Sequence, residues 1–150
     1  MGGKYFEEFE IGQTFTHEIR RTVTDMDNIL FSALTYNPAA IHIDHEYAKT
    51  TEFGKPLINS IFILGLVVGL SVQDTTLRTT VGNLGWEEVA FPKPVFAGDT
   101  IHVETKVVAI RESKSRPTQG IVTFAHTGLN QRDEIVCTCR RVALMLRRPK

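Results

Sequence analysis

The chain has 150 residues, 42% of them hydrophobic and 23% charged, with seventeen basic residues against seventeen acidic ones and no net charge. That length suits one domain with a real core, so residues 1–150 are read as a single domain. The charge balance favours no long-range field that would draw in nucleic acid, and leaves only local basic clusters open; a start of Met1-Gly-Gly-Lys-Tyr-Phe-Glu-Glu, without the apolar core of a signal peptide, predicts a cytoplasmic protein.

Tyr5 to Gly12 is a leading segment, and the alternation from Thr14 to Val23 predicts a first strand. Thr24-Asp-Met-Asp27 has the form of a capping box, with Thr24 as N-cap and acids in the first turn. Met26, Ile29, Leu30, Ala33 and Leu34 then repeat at helical spacing as one apolar face. Asn37-Pro38 ends that helix. An irregular loop carrying His42 follows, then a single helical turn within His45 to Thr51, before Phe53-Gly54-Lys55-Pro56 breaks the chain again.

From Pro56 to Gln73 no residue is charged, which approaches the length of a membrane span. Asn59, Ser60, Ser71 and Gln73 interrupt the run, and Pro56 suits a helix start. The expectation is a buried central helix of a soluble domain and no membrane insertion. Gly65 and Gly69 inside it predict close packing against a sheet or a second helix, with room for an acyl chain as the lesser alternative.

Beyond the helix the period becomes two. Val81 to Phe91, Thr100 to Arg111, Gln119 to Asn130 and Glu134 to Leu146 read as strands, joined by a turn at Gly98-Asp99 and by hairpin loops at Ser113 to Thr118 and Gln131 to Asp133. The result is an α+β domain, an antiparallel sheet wrapped around one hydrophobic helix. Cys137 and Cys139 fall on one face of the last strand. With no other cysteines to complete a zinc tetrad, they read as two small core residues.

This order of elements resembles the hot-dog fold, and specifically the MaoC-like dehydratase and (R)-specific enoyl-CoA hydratase family, over nearly the whole chain. The most specific part runs from Phe31 to Ser60. The family's Asp-x-Asn-Pro-x-His loop, its following Asp, Ala, Phe and Pro, and its His-Gly pair at the helix start have counterparts in His42, Asp44, Ala48, Phe53, Pro56 and Asn59-Ser60. Phe91-Pro-Lys-Pro-Val-Phe-Ala-Gly-Asp99 is similar to a later strand-and-turn segment of the family. One departure stands out. Without gaps, the family's catalytic aspartate falls on Asn37; an alignment that superposes Asn-Pro on Asn-Pro places Thr35 there and needs two extra residues before His42. Either way the acid is missing.

The resemblance implies hydration of a trans-2-enoyl-CoA, or the reverse dehydration of a 3-hydroxyacyl-CoA, by a homodimer with no metal or redox cofactor. His42 is then the base, Asn37 an acceptor for water or for the histidine, and the Ser60 N–H the donor to the thioester oxygen. Asn59 and Asp44 border the substrate, although Asp44 reads more simply as the cap of the next turn. Arg111, Lys114 and Arg116 are either a solvated hairpin or a site for CoA phosphates. A short, branched or mesaconyl-like acyl group is the expected substrate. His42, Asp44 and His45 are too crowded in sequence for a metal site, and His17, His102 and His126 read as ordinary core or surface histidines. Two other functions remain open, a hot-dog thioesterase and a module that binds acyl-CoA without turnover.

Overall fold

The computed structural model describes residues 2–149. A 3-10 turn at Phe6–Glu8 is followed by β1 (Thr14–Thr16), β2 (Arg21–Thr22) and helix α1 (Asp25–Leu34). Two single-turn helices, α2 (Ala40–Ile43) and α3 (His45–Ala48), lead to the long helix α4 (Ser60–Thr75). Strands β3 (Thr80–Ala90), β4 (Thr100–Glu112), β5 (Gln119–Leu129) and β6 (Ile135–Leu146) complete the chain. All pairings are antiparallel, in the order β1-β4-β5-β6-β3, with β2 continuing the β1 edge on β4.

The central strands bury every second residue, as a sheet with one face on a core must. Ile101, Val103 and Val107 of β4 and Val122 and Phe124 of β5 are fully buried. Ile63, Val67, Leu70, Ser71 and Thr75 form the stripe of α4 that meets this face. Each large apolar side chain removed from water there contributes about 1.5–3 kcal/mol. Helix and sheet approach most closely where Val67 lies over Gly128; a Cβ built on Gly128 would sit 2.5 Å from Val67 Cγ2. A second cluster, made by Phe6, Phe9, Val107, Val122, Phe124, Ala143 and Met145, closes the far end of the sheet. Among the described residues no helix is long and apolar enough to cross a membrane.

The hairpin strands, the Thr24 capping box and the turn at α3 agree with the sequence reading. Thr24 Oγ1 accepts from Asp27 N and Asp27 Oδ2 accepts from Thr24 N at 2.8 Å. Four features differ. The predicted first strand is two short ones, β1 and β2, separated at residues 17–20. His42 sits in a helical turn, α2, not in an irregular loop. The long helix starts at Ser60 with Asn59 as N-cap, four residues beyond Pro56, and its exposed stripe includes Gly65 and Gly69, where an added Cβ would meet nothing within 4 Å. These glycines do not pack on the sheet.

The fourth difference concerns α1. Its apolar face is turned outward, with Met26 69%, Ile29 45%, Leu30 53% and Leu34 71% exposed, while Asn28 and Ser32 are buried.

Cys137 and Cys139 are free and buried in β6. His17 and His126 belong to a buried polar chain. Asp74 Oδ2 meets His17 Nδ1 at 2.7 Å, and Thr105 Oγ1 lies 2.8 Å from both His17 Nε2 and His126 Nδ1. Burial, reinforced by Arg141 and His17, lowers the His126 pKa to about 3, so this ring stays neutral. His102 is half-buried beside Asp133, with Nε2 3.3 Å from its Oδ1.

Gly128→Ala is expected to destabilise the fold by about 1–3 kcal/mol through overpacking against Val67. Val67→Ala in the same chain should recover part of that loss; chemical denaturation of the three variants measures both terms.

Candidate active site

The residues singled out around His42 converge at the start of α4, and the convergence is made by backbone pairing. Leu57 N donates to Ile41 O at 3.0 Å and Ile58 N to Val95 O at 2.9 Å, so the segment before α4 is held between the His42 turn and the loop preceding β4. His42 is half-buried, and its Nδ1 lies 2.7 Å from Leu57 O. A carbonyl oxygen only accepts, so Nδ1 carries the proton of the neutral ring and Nε2 presents a lone pair. That is the tautomer a general base needs.

Asn59 caps α4, its Oδ1 accepting from Ile61 N at 3.0 Å. Among the described residues the Ser60 N–H has no acceptor, as expected of a donor in the first turn of a helix. Ser60 opens onto a cavity of about 200 Å³ lined by Phe53, Leu57, Ile58, Ile63, Phe91, Val95 and Val136, with Lys93 also on its wall. Lys93 is paired with Glu134 at 2.6 Å. Hydrogen bonds from Asn130, Lys93 and Arg132 hold the Glu134 carboxyl down at about 2.

Asn37 lies close to the start of α4, with its side chain engaged locally. Its Oδ1 accepts from Ala39 N at 3.0 Å, forming a local turn, and its N donates to Ser32 O at 2.9 Å. Asn37 shares a second cleft, about 190 Å³, with Phe31, Thr35, Asn59 and Ile61. Asp44 Oδ1 accepts from Tyr47 N at 2.9 Å and so caps α3, the plainer of its two readings.

Arg111, Lys114 and Arg116 are exposed around the β4–β5 hairpin. The start of α4 packs near the beginning of β4, whereas this hairpin follows its last residue. Thirteen strand residues span roughly 40 Å. Within one chain the cationic cluster and the His42 site are therefore at opposite ends of the sheet.

Asn28 is the site residue the sequence reading missed. It is fully buried, and its side-chain amide bonds only to the site. Nδ2 donates to His42 O at 2.8 Å and to Leu57 O at 3.0 Å, while Oδ1 accepts from Asn59 N at 2.9 Å. The partners, two carbonyls and one N–H, settle the amide's orientation. Buried bonds of this kind contribute about 0.5–1.5 kcal/mol each and leave a larger deficit when one partner is lost. In the sequence the only trace is a polar stripe, Asn28, Ser32 and Thr35, spaced i, i+4, i+7 along α1. By periodicity alone such a stripe reads as the solvent face.

Asn59→Ala removes the α4 cap and is expected to lower stability by about 1 kcal/mol in urea denaturation.

The sequence matches the MaoC like domain over residues 7–129. Mesaconyl-CoA hydratase of Cereibacter sphaeroides and Beta-methylmalyl-CoA dehydratase of Chloroflexus aurantiacus are each 32% identical over 146 residues. Those alignments cover 97% of this chain but only 42% and 41% of the two relatives, so the chain spans less than half their length. A Mycobacterium tuberculosis protein with a double hotdog fold superposes with a TM-score of 0.88 at 22% identity, over 99% of this chain and 46% of that one. The sheet wrapped around α4 is thus a hot-dog fold, and the chain belongs to the MaoC-like dehydratase family.

Proposed function

We propose that this domain adds water to a trans-2-enoyl-CoA, or removes it from the corresponding (R)-3-hydroxyacyl-CoA, with His42 as the acid–base group. The observation that carries this reading is the 2.7 Å bond from His42 Nδ1 to the carbonyl of Leu57, three residues before a helix start with an open N–H, which leaves Nε2 free. Water held at Nε2 gives its proton to the imidazole as its oxygen bonds to C3 of the enoyl group. Negative charge gathers on the thioester oxygen, where the Ser60 N–H donates; such a donor is worth about 3 kcal/mol in the barrier. The imidazolium then returns the proton to C2. Hydroxyl and hydrogen are added, the protein ends unchanged, and no metal or redox cofactor takes part.

One histidine can therefore carry both proton transfers without the family's aspartate. Asn37 carries no proton, and its Oδ1 is engaged by Ala39 N, so its role is to shape the turn that presents His42. The small cavity beside Ser60, about 200 Å³, suits a short or branched acyl group, in keeping with the mesaconyl and methylmalyl names of the relatives. A thioesterase needs a carboxylate near the helix start. The one carboxylate of α4, Asp74, lies at the opposite end and is bonded to His17.

A panel of enoyl-CoA thioesters, followed by loss of the conjugated absorbance, tests this reading. His42→Ala should lower kcat by about 100-fold or more. Undiminished turnover in that variant would overturn the assignment, and binding without turnover in the parent would favour an acyl-CoA-binding module. Asn37→Asp should raise kcat if the parent is a weakened form of an Asp–His hydratase.

We also infer that the working unit is a homodimer. Strand β3 is an edge strand paired only with β6, and it exposes Val81, Leu84, Trp86 and Val89. The outward stripe of α4 around Gly65 and Gly69 is equally open to a second helix. Sedimentation should give a dimer mass that falls to a monomer in the Leu84→Lys, Val89→Lys double variant. A monomeric parent would refute the pairing.

A further inference from the structure

We propose that Asn28 is a positioning residue for the reaction, holding the reactive tautomer of His42 and the start of α4 as one unit. The inference rests on the hydration reading of the site but is carried by different atoms. Asn28 reaches from α1 to both halves of that site. One hydrogen of Nδ2 goes to the main-chain oxygen of His42 and the other to Leu57 O, the same carbonyl that accepts from the His42 ring. Oδ1 takes the N–H of Asn59, the residue immediately before the Ser60 donor.

The geometry separates positioning from simple packing. An apolar side chain of similar volume would fill the space under α1, leave His42 O and Asn59 N without partners, and take one of two donors from Leu57 O. With Asn28 present, the Leu57 carbonyl receives two donors from different directions, and the N–H of the same peptide, Ile58 N, is bonded to Val95 O, so the plane is held at both ends. The ring of His42 then has one acceptor in one place, and the proton stays on Nδ1. Without Asn28, that peptide is held only by the Ile58 N–H bond to Val95 O and by the His42 ring itself, the ring can exchange tautomers more readily, and the distance between Nε2 and the Ser60 N–H is no longer constrained by a common side chain. Small losses of placement in a reacting pair weigh heavily on rate and lightly on binding.

The orientation of α1 agrees with this role. Burying Asn28 requires the polar side of the helix to face inward, which leaves Met26, Leu30 and Leu34 in the open. The capping box at Thr24 and the bidentate pair of Arg21 with Asp27, at 2.9 and 2.6 Å, hold the helix start and so fix its rotation about its axis.

The test uses Asn28→Leu, which keeps the volume, and Asn28→Asp, which keeps the acceptor for Asn59 N–H but loses the two donors. Ser32→Ala, one turn along the same buried side of α1, is the control. The ring-nitrogen shifts of ¹⁵N-labelled His42 report the tautomer, and steady-state kinetics with an enoyl-CoA separate kcat from KM. Parent and Ser32→Ala should show the Nδ1–H form alone. Both Asn28 variants should show mixed tautomers, with kcat lowered about 10-fold or more and KM changed by less than about 3-fold. A folded Asn28 variant with an unmixed Nδ1–H ring and parental kcat would overturn the proposal. If the parent turns over no enoyl-CoA, the hydration reading fails, while the tautomer measurement still decides whether Asn28 sets the state of His42. Should Asn28→Leu not fold, the Asp variant, which preserves the bond to the α4 cap, carries the same two readouts.

Discussion

The carbonyl of Leu57 is the point on which the site depends. It accepts from a histidine ring and from a buried amide, and its own N–H pairs with Ile41 of the turn that carries the histidine. Two segments otherwise free to move, the His42 turn and the lead-in to α4, become one piece there. Because burial removes water as a competing partner, each of these bonds constrains position more than it adds stability.

The sheet supplies the other half of the arrangement. It covers the side of α4 that carries Ile63, Val67 and Leu70, with Gly128 allowing Val67 to come close. At the first turn of the helix, the N–H of Ile61 is capped by Asn59 and that of Ser60 is left open. A buried helix body with an open N-terminus is what makes a donor site out of ordinary backbone. The same geometry places the hairpin of Arg111, Lys114 and Arg116 at the far end of the sheet, which leaves that cluster unconnected to His42 within one chain.

In the hydration we propose, function then turns on proton bookkeeping. Asn37 stands where the resemblance places an acid, and its side chain is engaged in a local turn. Addition of water across a double bond takes one proton from the water and places one on carbon. A single imidazole held as the Nδ1–H tautomer can do both, and the demand shifts from a second acid to accurate placement of the first group. Asn28 meets that demand in structural terms, being buried and fully bonded to both sides of the site.

By itself, the sequence determined the periodicities. It defined the four long strands, the hydrophobic helix, the cap at Thr24 and the cluster from His42 to Ser60, because each follows from local spacing or local hydrogen bonding. It could not decide which side of α1 faces inward. Apolar residues at helical spacing usually mark the core side, yet here Met26, Leu30 and Leu34 point out and Asn28 points in, since three backbone groups of other segments need its amide. Those partners lie fourteen and more residues along the chain. The hydrogen-bond partners of Asn37 and of the His42 ring and the helix start at Ser60 were likewise decided only by the tertiary structure, for each depends on a group that the fold alone brings within reach.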